Sequence, residues 1–383
     1  MSKWKFHNPV KIHFGSGSIN NLSALIGSRK SLLITTPGST KRGTTSLVRD
    51  LLGNSLVAVF DEVEPNPTLS SVLAVSKNIR RLMFDNIIAL GGGSALDTAK
   101  TFAAVDASGN EGGLADQLNH KFSYPKNFTP KPIIAIPTTA GTGSEVTMWG
   151  TIWDMVAKQK HSIEHPLLYP EQAILDPDLT ITLPRDETIF SALDAISHAM
   201  ESIWNKNHNP ISDIFAIEAI SIIYDYLPQL INNLADSTLR SYIHRASLLA
   251  GLAFSNTKTG LAHSISYPLT THFGLPHGLA CSLPLVQILK FNAVESADRI
   301  KIMAKALRAD TTVESMASEL TKLFERLGLH LNLSYYGIDN SCVELISDLA
   351  YTSERTDNNI SSINRNDIET IVRSLFDEEK YNI

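Results

Sequence analysis

Residues 86–90, Asn-Ile-Ile-Ala-Leu, run directly into Gly91-Gly92-Gly93, after which Ser94 to Lys100 takes up helical spacing. A strand that is apolar at almost every position needs cover on both faces, and a parallel sheet sandwiched between helices supplies it. The same alternation recurs through the first half of the chain. Residues 31–35 form a short apolar run closed by Pro37-Gly38 and followed by helical spacing from Val48 to Leu52. Residues 56–60 read as the next strand, 69–83 as a helix, and 132–137 as another buried strand rich in Ile. Strand–helix alternation of this kind predicts an α/β domain.

From about Pro184 the pattern changes. Residues 186–204, 211–234, 237–255, 283–291, 297–307 and 313–327 all carry helical spacing. The expected organisation is an α/β domain over 1–183 and a helical domain over 184–383, joined near Thr182-Leu183-Pro184. A length of 383 residues exceeds one ordinary core and suits two domains. A net charge of −6 with no long basic stripe argues against a nucleic-acid partner; Arg80-Arg81 and Lys158 to Lys160 are short. Two cysteines are too few for a disulfide framework and fit a reducing compartment. The N-terminus lacks a signal-peptide core, and no apolar run reaches the length of a membrane span. A cytoplasmic protein that does not enter membranes is therefore expected.

Asp194 and His198 stand four apart within helical spacing and so share a helix face. His263 and His277 are fourteen apart, with a Leu-Pro turn just before the second to bring it back beside the first. One carboxylate and three imidazoles suit Zn(II) or Fe(II) far better than Mg(II) or Ca(II), which prefer oxygen cages. The glycine turn after residue 90 suggests a second kind of site. Glycines let backbone approach an anion closely, and the following helix N-terminus offers free N–H groups to a pyrophosphate. Pro137-Thr-Thr-Ala-Gly-Thr-Gly-Ser-Glu145 is a second small-residue loop after a second buried strand. Two such loops at strand carboxyl ends suggest a ligand crevice between the domains.

Four motifs, GGGSxxDxAK at 91–100, PTTAGTGSEVT at 137–147, DAxxHAxE at 194–201 and GLAHxxxxPLxxxxGxPHG at 260–278, together resemble the iron-containing (group III) alcohol dehydrogenase family, in family order and over essentially the whole chain. The resemblance implies a Rossmann-like N-terminal domain binding NADH or NADPH and an all-α C-terminal domain holding one Fe(II) or Zn(II). It places the metal on Asp194, His198, His263 and His277. It assigns Gly92, Gly93 and Ser94 to the pyrophosphate, and Thr36, Asn66, Asp97, Thr138, Thr139, Thr142, Ser144 and Lys160 to the cofactor region. It also implies a homodimer or larger homo-oligomer.

Two positions depart from the family pattern. Thr36 stands where many members carry an Asp that contacts the adenosine ribose and repels a 2′-phosphate. With Lys41 and Arg42 close by in sequence, NADPH is expected to be accepted at least as well as NADH. Tyr267 replaces a His found near the substrate in many members; it would hydrogen-bond the reacting oxygen or line the pocket. Lys258, just before the His263 segment, puts a cation beside the metal ligands and resembles the phosphonoacetaldehyde reductase branch. A small anionic aldehyde is the expected substrate, with phosphonoacetaldehyde first, reduced to 2-hydroxyethylphosphonate. Sulfoacetaldehyde, succinic semialdehyde, lactaldehyde and simple alkyl aldehydes are the alternatives. Dehydroquinate synthase-like chemistry on a similar scaffold is a remoter one, which would need many more basic residues in the helical half.

Overall fold

The computed structural model describes residues 3–79, 82–108, 124–154 and 159–377; Arg80, Arg81 and Lys158 lie outside them. The described chain divides into two compact units, Asn8–Thr182 and Met1–His7 with Leu183–Ile383.

The first unit is built on a parallel six-stranded sheet. Its strands are β1 (Lys11–Phe14), β2 (Ser31–Thr35), β3 (Leu56–Phe60), β4 (Asn86–Gly91), β5 (Ile133–Pro137) and β8 (Gln172–Leu175), in the spatial order β1-β8-β5-β4-β2-β3. Between β5 and β8 the chain inserts an antiparallel hairpin, β6 (Trp149–Asp154) and β7 (Gln159–Glu164). Every residue of β2, β4 and β5 is buried, because alternate side chains feed two cores. Leu32, Ile34, Ile87, Ala89, Ile133 and Ala135 face one layer of helices; Leu33, Ile88, Leu90, Ile134 and Ile136 face the other. That double burial is why these strands carry no polar alternation. The helices of this unit are α1 (Leu22–Ile26), α2 (Pro37–Lys41), α3 (Thr44–Leu52), α4 (Leu69–Ile79) and α5 (Gly93–Ser108). Helix α4 ends before the residue 83 that periodicity suggested.

Chain order and spatial order together fix where a ligand can sit. β2 leads outward to β3, and the chain then returns to the other side of β2 to form β4. The carboxyl ends of β2 and β4 therefore flank a reversal of winding direction, where helices diverge and leave a crevice. Thr36 and Gly91 to Gly93 lie at those two strand ends.

The second unit is helical: α6 (Arg185–Ile203), α7 (Pro210–Leu230), α8 (Ser237–Thr257), α9 (Leu261–Phe273), α10 (His277–Ser282), α11 (Leu285–Ile300), α12 (Val313–Arg326), α13 (Val343–Ala350), α14 (Ser353–Thr356) and α15 (Arg365–Ser374). Helix α6 is its axis, with α7, α8 and α10 packed around it and all of its residues from Leu193 to Ile203 buried. Asn209 opens α7 with a reciprocal cap to Ser212, and Asp236 caps α8 through the Leu239 N–H. The two helices suggested over 283–291 and 297–307 appear as a helical run from Leu285 to Ile300 broken at Ser296, where φ −130° and ψ 38° leave the helical region, and a tighter turn over Lys301–Met303 follows. Among the described residues no helix is long and apolar enough to cross a membrane.

Candidate metal centre and nucleotide cradle

In the helical unit Asp194, His198 and Glu201 fall on one face of α6, at spacings of four and then three residues. His263 sits in the first turn of α9 and His277 opens α10. The return between those two helices uses Gly274, whose φ of 72° closes α9, and then Pro276. Gly278 lets α10 lie against α6: a Cβ there would stand 1.8 Å from the Phe190 carbonyl oxygen.

Asp194 Oδ1 is the hub of the cluster. It lies 3.4 Å from His263 Nε2, 3.8 Å from His198 Nε2 and 4.0 Å from His277 Nε2. Ligand atoms bound tetrahedrally at about 2.1 Å stand roughly 3.4 Å apart, the spacing of Asp194 and His263, with His198 and His277 standing somewhat wider. Asp194 Oδ1 and His263 Nε2 are buried and have no hydrogen-bond partner. Orphaned polar atoms of that kind are expensive unless something else satisfies them. The residues present therefore fit a divalent metal. Burial opposes ionisation of Asp194, but His198, His263 and His277 together hold its carboxyl well below the usual range. The Phe254 ring stacks on His198 at 4.0 Å, and His198 stacks on His263 at 4.5 Å, which fixes both imidazoles.

Two contributors escaped the sequence reading. Glu201, fully buried, accepts from His263 Nδ1 at 2.6 Å, from Ala262 N at 2.6 Å, Gly260 N at 2.9 Å and His263 N at 3.2 Å. Holding the proton on Nδ1 leaves the Nε2 lone pair free to ligate a metal beside Asp194. Burial works against this charge too, yet His263 and the backbone N–H groups keep the carboxyl below its ordinary range. Its signal was present in the DAxxHAxE spacing. The second is Cys281, one turn beyond His277, with Sγ 3.6 Å from His277 Nε2. Donor atoms of Asp194, His263, His277 and Cys281 all lie within 4.8 Å of one another. Burial pushes the Cys281 thiol up.

Tyr267, one turn after His263, is half-buried, and its ring is parallel to that of His277 at 6.1 Å. Lys258 is exposed at the C-terminus of α8, with φ 69°. Its turn is held by Asn205 Nδ2 on the Lys258 carbonyl and Asn358 Nδ2 on the Thr259 carbonyl.

In the α/β unit the two small-residue loops meet each other. Thr138 N donates to the Gly91 carbonyl at 2.9 Å. A Cβ on Gly92 would stand 3.1 Å from Thr139 Oγ1, and one on Gly93 only 2.6 Å from Thr142 Cγ2. Gly91 takes φ 147°, and its missing Cβ would come within 3.5 Å of Thr36 Cγ2. Ser94 Oγ accepts from Asn66 N at 3.2 Å. Asn66 itself holds a positive φ of 55°. Thr36, Asn66, Gly92, Gly93, Ser94, Thr138, Thr139 and Thr142 are thus assembled at one end of the sheet. Lys160, on β7, lies over the Trp153 ring at 5.6 Å, and Trp153 N bonds the Pro67 carbonyl beside Asn66.

Asp97 and Ser144 serve the loop itself. Asp97 accepts from Ser144 Oγ at 2.7 Å and from Thr151 N at 3.0 Å. Lys100, fully buried, donates to the Ser144 carbonyl and hydroxyl, Thr147 Oγ1 and the Trp149 carbonyl at 2.6–3.0 Å. Burial lowers the Lys100 pKa to about 8, with Asp97 and Glu145 opposing; burial also lifts Glu145 to about 7. This network pins the second loop to α5 and was not apparent from the sequence.

A cluster of candidate metal ligands on the helical unit and a glycine–threonine cradle at the winding reversal of a parallel sheet define a metal- and dinucleotide-dependent oxidoreductase. Comparison with known proteins gives the family. Residues 9–177 match the iron-containing alcohol dehydrogenase family, and residues 188–376 match the C-terminal region of the Fe-containing alcohol dehydrogenase family. An NADPH-dependent butanol dehydrogenase of Clostridium saccharobutylicum is 30% identical over 384 residues, covering 97% of this chain and 98% of its own. An NAD-dependent methanol dehydrogenase of Bacillus methanolicus is 29% identical over 381 residues, covering 96% and 99%. Among solved structures, a sulfoacetaldehyde reductase of Bifidobacterium kashiwanohense in complex with NAD+ superposes with a TM-score of 0.91 at 29% identity, covering 99% of this chain and 100% of that one. The chain belongs to the iron-containing alcohol dehydrogenase family, and it is a metal-dependent, NAD(P)-linked alcohol or aldehyde oxidoreductase.

Proposed function

We propose that this enzyme reduces a small aldehyde with an anionic tail, phosphonoacetaldehyde to 2-hydroxyethylphosphonate first among them. The observation that carries the reductase chemistry is the pair of orphaned, buried donor atoms, Asp194 Oδ1 and His263 Nε2, with His198 and His277 beside them. When bound, a divalent ion supplies Lewis acidity to the carbonyl oxygen and the reduced nicotinamide supplies the hydride. The chain's own part is positional. Asp194, His198, His263 and His277 hold the ion, and Glu201 keeps His263 in the ligating tautomer. Gly92, Gly93 and Ser94 admit the pyrophosphate, with Thr138, Thr139 and Thr142 alongside. Asp97, Ser144 and Lys100 shape that cradle, and Lys160 extends a cation from the hairpin. Tyr267 lines the substrate side of His277, its ring parallel to the imidazole. Thr36 leaves room for a 2′-phosphate, and the exposed Lys41 and Arg42 supply cations to meet it.

Sulfoacetaldehyde is the second reading, favoured by the likeness to the Bifidobacterium reductase. The deciding measurement is anaerobic NAD(P)H oxidation by metal-replete enzyme with phosphonoacetaldehyde, sulfoacetaldehyde, succinic semialdehyde and propanal in parallel. A higher kcat/KM for the phosphonate supports the first reading. Preference for propanal overturns the anionic substrate class.

A further inference from the structure

Arg355 provides a cation that no spacing along the chain marks. Its guanidinium carbon lies 4.4 Å from the centroid of the Tyr267 ring, and that ring is parallel to His277 at 6.1 Å. The guanidinium and the ligand imidazole are thus at most about 10.5 Å apart, those two spacings in succession. Among the described residues the guanidinium has no carboxylate partner. Arginine left half-buried without a counter-charge, stacked on an aromatic face, is preorganised to receive an anion.

The geometry is held from the metal side. Ser264, next to the ligand His263, donates to the Ala350 carbonyl at 2.5 Å and bonds Thr352 Oγ1 at 2.9 Å. Thr352 in turn accepts the Arg355 N–H at 3.1 Å and the Thr356 hydroxyl at 2.9 Å. One helix therefore positions the ligand His263, the stacking ring Tyr267 one turn on, and the segment that carries Arg355. Lys258, by contrast, is exposed at a helix end.

We propose that Arg355 is the residue that recognises the substrate's anionic tail, as a bidentate partner for a phosphonate or sulfonate, while the aldehyde end points to the metal ligands. Two carbons, the carbonyl carbon and one methylene, separate the carbonyl oxygen from the phosphorus or sulfur, a reach of roughly 4–5 Å to the tail oxygens, and a charge-assisted hydrogen bond adds ~2.8 Å, which fits within the distance available. This inference rests on the reductase reading above and specifies its substrate contact.

The test compares wild type, Arg355→Ala, Arg355→Lys and Lys258→Ala as metal-replete full chains, with phosphonoacetaldehyde and propanal as substrates. In Arg355→Ala the ratio of kcat/KM for phosphonoacetaldehyde over propanal falls about 100-fold, chiefly through KM. Arg355→Lys recovers part of that ratio, because charge returns without the planar fork, and Lys258→Ala shifts it less than 3-fold. An unchanged ratio in Arg355→Ala overturns the inference while leaving the reductase reading intact. If wild type oxidises NAD(P)H with neither aldehyde, the reductase reading falls. Calorimetric titration of wild type and Arg355→Ala with 2-hydroxyethylphosphonate then decides the inference by itself: equal affinity overturns it, and at least 10-fold weaker binding to the variant supports it.

Discussion

Glu201→Gln tests whether a buried carboxylate sets the protonation of a metal ligand. Four N–H donors converge on Glu201: Gly260 N and His263 Nδ1 on one oxygen, Ala262 N and His263 N on the other. Glutamine offers one acceptor oxygen and one NH2, so two of those donors must lose their acceptor. With the amide oxygen facing Ala262 and His263 N–H, the NH2 group meets Gly260 N–H and His263 Nδ1. The imidazole can escape by accepting at Nδ1 and carrying its proton on Nε2, 3.4 Å from Asp194 Oδ1. That orientation leaves only Gly260 unsatisfied, but Nε2–H cannot ligate. The opposite orientation keeps Nε2 available and orphans two backbone N–H groups, Ala262 and His263. The metal-competent form is thus disfavoured by about one buried unsatisfied donor, or ~1–3 kcal/mol.

The expected consequence is a 10- to 100-fold loss of metal affinity, the range typical of removing the outer partner of a ligating histidine. Competition for Zn(II) or Co(II) against a chromophoric chelator measures it without reference to turnover. Thermal unfolding with and without metal supplies a second reading: the metal-free variant loses a few degrees, and the increment gained on adding metal shrinks. Wild-type metal affinity in Glu201→Gln would refute the tautomer argument, because the substitution leaves shape almost unchanged and alters only the acceptor count.

Further outcomes follow from the same contacts. Gly278→Ala places a Cβ 1.8 Å from the Phe190 carbonyl, so α10 must move; a loss of ~1–3 kcal/mol or more in calorimetric stability is expected, with weaker metal binding as His277 shifts, and an unperturbed melting profile would contradict the close packing. Lys100 falls to about 8 in the folded chain against an ordinary 10.5, so the unfolded state holds its proton more tightly, and stability should rise as pH climbs from about 8 toward 10.5, by on the order of 3 kcal/mol. That slope should be absent from Lys100→Met in denaturant titrations across the same window; an identical slope in both proteins would assign it elsewhere. Thr36→Asp keeps the cap on Ser39 N but adds a charge beside Gly91, so the NADH/NADPH ratio of kcat/KM should rise more than 10-fold; a persistent preference for NADPH would show that Thr36 does not face the 2′-position.

The α/β fold of the N-terminal half could be read from residues 86–93 because double burial of a parallel strand leaves an uninterrupted apolar run, and Gly91 to Gly93 mark where it turns. Strands β1 and β8 were not anticipated. β1 pairs only with β8 at the sheet edge, and its two apolar side chains, Ile12 and Phe14, are exposed, so no burial marks it as a core strand. The hairpin β6–β7 was missed for a similar reason: Gly150 and Asp154 interrupt the alternation expected of a strand. The helical half showed its periodicity clearly, and the boundary expected between residues 291 and 297 is where Ser296 leaves helical geometry. Candidate ligands on a single helix, Asp194 and His198, are a local pattern. Bringing His263 and His277 to them depends on Gly274 and Gly278, whose roles emerge only once α6 and α10 are seen in contact.

The residues that escaped the sequence reading share one property: each acts through a partner distant in the chain. Lys100 closes the GGGSxxDxAK motif, but its role of reaching Ser144, Thr147 and Trp149 runs against the ordinary preference of lysine for solvent and is visible only in the fold. Glu201 was visible as part of a motif, but its function requires the Gly260–His263 backbone to arrive some sixty residues later. Arg355 is the extreme case, placed beside Tyr267 by a hydrogen-bonded relay through Ser264 and Thr352. Ligands of a metal are constrained by residue type, which a sequence displays. Groups that orient those ligands or select a substrate are constrained by where their partner lies, and for them the fold is the necessary intermediate. This asymmetry explains why Lys258, close to His263, stands out as an anion anchor from sequence alone, whereas a role for Arg355, nearly a hundred residues further on, can be proposed only from the fold.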